Sequence, residues 1–146
     1  MDRGTWIVDC GHTSRVVGST IYNPCMGPDS VKRLDIWREG AELAKAIYRL
    51  TQNWPKDELY GLTSQARRAA VSIPANLAEG VGRGTAAEAA HFAQIALGSL
   101  YELDTLLYLA SELAFPEPET IAALRDRLSS LSRRISSFIS YKQRRK

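Results

Sequence analysis

Gln65-Ala66-Arg67-Arg68-Ala69-Ala70-Val71-Ser72-Ile73-Pro74-Ala75-Asn76-Leu77-Ala78-Glu79-Gly80 decides the fold, because a helix wound through it has three unlike sides. At about 100° per residue, Ala66, Ala69, Ile73 and Leu77 form an apolar line that Leu62 extends by one turn. Beside it runs a polar line of Gln65, Arg68, Ser72, Asn76 and Glu79. The remaining side, Ser64, Val71, Ala75 and Ala78, is small and largely apolar. Pro74 removes one backbone hydrogen bond and predicts a kink between Ala70 and Pro74. The apolar period continues through it, so one helix is expected. A helix with so little charge is buried on most sides. One bundle covers only part of that perimeter, which makes Val71, Ala75 and Ala78 the expected interface between copies of the chain.

The flanking segments read as three more helices. Upstream, Leu34, Trp37, Ala41, Ala44 and Tyr48 share one line and Ile36, Gly40, Leu43, Ile47 and Leu50 a second. Trp54-Pro55 ends that helix, since a residue before proline is pushed out of the α region. The helix through the quoted stretch is expected to begin at Lys56 or Leu59 and to end near Val81. Gly80-Val81-Gly82-Arg83-Gly84 breaks it, and Thr85 with Glu88 forms a capping box for the next. That third helix, expected to reach Ala114, carries Phe92, Ile95, Ser99, Glu102, Leu106 and Leu113 on one face. Its alanines and Gly98 permit close approach of a neighbour. Pro118 suits the start of a fourth helix, whose line Ile121, Leu124, Leu128, Leu131, Ile135, Phe138 is a strict heptad seam. Four helices joined by short loops predict an all-α, antiparallel, up-down-up-down four-helix bundle.

The bundle is expected over residues 33–141, between an irregular extension at 1–32 and a basic tail at 142–146. In the extension, short β-branched pairs (Ile7-Val8, Val16-Val17) alternate too briefly to predict a strand. With 146 residues, 45% of them hydrophobic and 24% charged, the chain buries a core without disulfides. No stretch predicts a membrane span and no basic region leads into an apolar run at the start, so a cytoplasmic location is expected. Cys10, His12 and Cys25 match no zinc spacing. Neither metal nor cofactor is expected.

A carboxylate on the apolar face of the third helix requires a partner. Glu102 is therefore expected to meet Arg68 in a buried polar network with Gln65, Ser72, Asn76, Glu79 and Ser99. The competing reading makes Arg68, Glu79 and Glu102 a catalytic carboxylate site. Buried ionic networks more often fix register than perform chemistry, so no catalytic residue and no enzyme activity is expected. His91, with no cysteine or serine-aspartate grouping to join, is expected to be a partly buried helix residue.

Charge is uneven along the chain. The overall +3 divides into +7 over residues 125–146 and −4 over the rest. A basic end on a slightly acidic body suits RNA or DNA. Arg133, Arg134, Lys142, Arg144, Arg145 and Lys146 are the candidate contacts, with Tyr141 placed to stack on a base. Arg83, in the glycine-rich turn before a helix start, is a further candidate phosphate contact. That turn follows a helix and lacks a P-loop lysine, so no nucleotide site is expected.

The quoted stretch resembles the signature of the bacterial four helix bundle proteins, also called 23S rRNA-intervening sequence proteins. Leu34-Asp35-Ile36-Trp37, Trp54-Pro55-Lys56-Asp57-Glu58 and Gly98-Ser99-Leu100-Tyr101-Glu102-Leu103 are similar to that family too. The resemblance is dense over residues 34–115 and rests on pattern alone in the last helix. It implies a homopentameric ring without known enzymatic activity, encoded in some members within insertions in large-subunit rRNA genes. A similar fold serves as the accessory protein of diversity-generating retroelements, which binds a reverse transcriptase and nucleic acid. Two partner readings follow: RNA or DNA, and a reverse transcriptase on a protein-interaction scaffold. About thirty N-terminal residues have no counterpart in the family.

Overall fold

The computed structural model describes residues 15–17, 20–22 and 27–145. The readings made for Cys10, His12, Cys25 and Lys146 fall outside the described residues. Within the segment expected to be irregular, β1 (Arg15–Val17) pairs antiparallel with β2 (Thr20–Tyr22), with Val16 opposite Ile21. The β-branched residues suit a pleated strand even over three residues. A short helix, α1 (Pro28–Lys32), follows, with proline in its first turn and Val31 buried. These elements are too short for periodicity to announce them.

From residue 27 onward all regular structure is helical: α2 (Asp35–Thr51), a 3₁₀ turn (Lys56–Glu58), α3 (Leu62–Gly82), α4 (Ala86–Glu112) and α5 (Pro118–Gln143). Each long helix packs on two others, α2 on α3, α3 on α4, α4 on α5 and α5 on α2. The expected boundaries hold to within a few residues, except that a 3₁₀ turn and three further residues precede α3. There the Glu58 carboxylate accepts from the Leu62 amide at 2.9 Å and caps the helix start.

α3 runs unbroken through Pro74. Gly40 of α2 lies against this segment: a Cβ there would sit 3.4 Å from Ile73 Cγ2 and 3.6 Å from the Pro74 ring. A bare backbone on α2 thus accommodates the proline ring. Between α3 and α4, Gly84 takes φ 83°, a conformation open to glycine at little cost. Thr85 Oγ1 then accepts from the Glu88 amide at 3.1 Å, the predicted cap. Between α4 and α5, Ala114 and Glu117 have positive φ, and Phe115 turns inward to meet Trp54 edge-on at 5.2 Å between centroids.

The core lies where the four long helices meet. Ile36, Ile47, Ile73, Leu103, Leu107 and Leu131 are wholly buried there. All six residues of the α5 seam are buried. Two ion pairs tie α5 to its neighbours: Arg125 donates twice to Asp104 of α4 at 2.8 and 3.2 Å, and Arg127 to Glu39 of α2 at 3.1 Å. No helix is long and apolar enough to cross a membrane among the described residues.

Candidate nucleic-acid and self-association surfaces

The polar line of α3 meets α4 at the edge of their contact. There the two backbones are close enough for hydroxyls to touch. Ser72 Oγ and Ser99 Oγ lie 2.8 Å apart, and Asn76 Nδ2 donates to Ser72 Oγ at 2.9 Å and to the Ser72 carbonyl at 2.8 Å. Ser99 Oγ in turn donates to the Ile95 carbonyl at 3.3 Å. Asn76, Ser72, Ser99 and the Ile95 carbonyl thus form one connected chain of hydrogen bonds, and each hydroxyl is satisfied.

The outer members of the expected network differ from expectation. Gln65, Arg68, Glu79 and Glu102 are exposed in the protomer. Gln65, Arg68 and Glu102 share an open hollow with Ser72, but Arg68 and Glu102 form no ion pair among the described residues. Glu79 faces elsewhere, accepting from Arg83 Nη2 at 2.8 Å. Only the middle of the line along α3, Ser72 and Asn76, is half-buried, and the residues toward both ends are exposed. Glu79 does not join Arg68 and Glu102 in one hollow, and the three-residue constellation does not form in the protomer.

The small face of α3 is largely uncovered. Val71 is 44% exposed and Ala75 is also exposed. Ala78 is only half-buried, lining a hollow with Val31 of α1 and Val81. Ile95 and Leu109 of α4, and Leu113 just past its end, are exposed too, the last at 58%. Gly98, expected to admit a close helix, has no atom within 4 Å of the place a Cβ would occupy. Gly80 supplies the close approach instead, where a Cβ would come 2.7 Å from Phe92 Cβ and 3.2 Å from the Glu88 carbonyl.

The end of α5 lies beside the start of α4. Ala87, Ala90, His91 and Gln94 of α4 face Lys142 of α5 and Arg145 just beyond it across a shallow hollow. The Arg145 guanidinium sits 4.8 Å over the Tyr141 ring, while the Lys142 ammonium lies 5.4 Å from the Phe138 ring. Burial, and then the charge of Arg145, lower the Lys142 pKa below its ordinary 10.5. It therefore loses its proton at lower pH than an ordinary lysine. His91 is exposed rather than partly buried, edge-on to Phe92.

Arg83 belongs to the same end through Phe92, over which its guanidinium lies at 4.7 Å. The hydrogen bond to Glu79 raises its pKa and offsets part of its charge. Arg144 is exposed. Arg133 and Arg134 lie about 15 Å or more back along the helix axis from Arg144 and do not join this cluster. Arg133 is exposed, donating to Ser129 Oγ at 3.1 Å, and Arg134 is half-buried.

Arg67, to which helical spacing assigns no role, crosses from α3 to α2, where its Nε donates to Thr51 Oγ1 at 2.9 Å. The loss of one polar side chain from a line is too faint a signal to have found it.

A protein whose long elements are all helices, with a basic end and an uncovered apolar face, is the class that this fold and these surfaces define. The chain belongs to the 23S rRNA-intervening sequence protein family, whose sequence model matches residues 32–137. The match spans α2 to α5 except for the last turns of α5 and leaves β1, β2 and most of α1 outside it. No curated protein matches the chain.

Proposed function

We propose that this chain is a non-enzymatic, cytoplasmic, antiparallel four-helix bundle that assembles with copies of itself as a pentameric ring and associates with RNA or DNA. The observation that carries the nucleic-acid reading is the placement of Lys142 and Arg145 beside His91 around one hollow, with the Arg145 guanidinium over Tyr141, Arg144 exposed next to them and no carboxylate lining the hollow among the described residues. Cations beside an aromatic ring are the elements of sequence-tolerant binding to single strands. Short connections between α3, α4 and α5 favour the antiparallel order, and the exposed Val71 and Ala75 favour assembly.

Five tails together would carry roughly twenty positive charges, so binding should weaken steeply with salt. A filter-binding titration on single-stranded RNA and DNA tests this reading. Affinity at low salt that falls when residues 142–146 are deleted is the expected outcome. Unchanged affinity after the deletion, or none at low salt, overturns it. The second reading, a scaffold subunit that binds a reverse transcriptase, draws on Tyr101 and Tyr108, which stay exposed on α4. Co-purification with that enzyme and no binding to nucleic acid would favour it.

A further inference from the structure

At the far end of α3 from the basic patch lies a hollow of about 360 Å³, lined by Thr51, Trp54, Lys56, Leu59, Thr63 and Arg67, among others. Its size falls within the range of small-molecule sites. Three features set it apart from an ordinary surface dent. Trp54 is only 4% exposed, yet its Nε1 donor is buried with no acceptor among the described residues. Buried indole N–H groups usually find a partner, so one without an acceptor requires an explanation.

The second feature is Arg67, which is held in place. Its Nε donates to Thr51 Oγ1, that hydroxyl donates to the Ile47 carbonyl at 2.8 Å, and the guanidinium sits 4.8 Å over the Tyr48 ring. These contacts use one nitrogen and one face of the guanidinium, and its Nη groups make no ion pair among the described residues. A purely structural brace between α2 and α3 explains the Nε contact but leaves Trp54 unexplained.

Third, the lining contains two cations and no carboxylate. Glu58, the nearest acid in sequence to have a fixed contact, is engaged by the Leu62 amide, and Asp57 is exposed. The start of α3, with Thr63 in its first turn, adds the positive end of a 21-residue helix dipole. The opposing carbonyls at the end of α2 are partly occupied, since those of Ile47 and Tyr48 both accept from Thr51.

We propose that this hollow binds a small oxyanion, a carboxylate or phosphoryl group, attached to a short apolar body. Arg67 Nη and Lys56 Nζ hold the charge, Pro55, Leu59 and the Trp54 ring contact the apolar part, and a side-chain shift on binding brings the buried Trp54 indole N–H within reach of the acceptor it lacks. The site is independent of the tail and of the nucleic-acid reading.

The test is a titration of the full-length protein with inorganic phosphate, phenyl phosphate, acetate and phenylacetate, following the Trp54 indole N–H by nuclear magnetic resonance. A saturable shift of that signal is expected, with the phenyl compounds binding more tightly than the bare ions. Phosphate and carboxylate arms separate the two kinds of head group. Lys56→Gln and Arg67→Gln should each weaken binding by about tenfold. The double variant Arg144→Gln and Arg145→Gln should leave it unchanged. Lys56 is exposed, so its variant stays informative even if Arg67→Gln perturbs the fold. No saturable shift with any of the four compounds, or equal affinity in Lys56→Gln, overturns the proposal.

Discussion

Two glycines in the helices should respond to alanine in opposite senses. Gly80 and Gly98 both lie inside long helices, where alanine is intrinsically better by about 1 kcal/mol. At Gly98 nothing stands in the way of a methyl group, so Gly98→Ala should raise the unfolding free energy by about that amount. At Gly80 the methyl would meet the Phe92 Cβ and the α4 backbone, atoms that move only if the helices part. Gly80→Ala should therefore destabilise by about 1–3 kcal/mol despite its better propensity. Urea unfolding of the two variants side by side checks both signs. Two losses or two gains would mean that the α3–α4 contact is not as tight at Gly80, or as open at Gly98, as described.

Among the helices, α5 leans most plainly on its seam. Leu131 is wholly buried at the middle of it, and Leu131→Ala should cost about 2–5 kcal/mol by chemical denaturation. A loss below about 0.5 kcal/mol would mean the seam does not pack as described. That seam was legible in the sequence because a period of three and four needs only one helix to be read. The Thr85 cap and the continuity of α3 through Pro74 were legible for the same reason. What could not be read depends on where a second helix lies. Arg68 and Glu102 share a hollow without pairing, and Gln65 and Glu79 are exposed, because α4 shelters only the Ser72–Asn76 stretch along α3. Arg67 reaching Thr51, and Trp54 beside a hollow lined by two cations, involve residues from separate elements that no periodicity links. The strands β1 and β2 have three residues each, below the length at which alternation carries a signal.

For the whole molecule, the uncovered apolar face carries the expectation of self-assembly. Val71→Glu places a charge where a neighbouring copy would have to bury it, and burial of an unpaired charge opposes association. In the protomer that side chain is 44% exposed, so folding should be little affected. Light scattering should then report an oligomer for the unmodified chain and a smaller species for the variant, with helical content unchanged by circular dichroism. A native mass equal to 16.2 kDa for the unmodified chain would end the assembly reading.

The end-loaded charge of α5 gives the protomer a sense of direction. Lys142, Arg144 and Arg145 sit at one tip, while the Trp54 hollow lies a full α3 length away, about 30 Å. Protomers standing side by side in the same orientation would repeat those cations on one rim and leave the other rim without them. Such an object resembles a washer coated on a single surface. Two coated surfaces repel unless salt or a polyanion intervenes, so a nucleic acid lying between them would act as mortar.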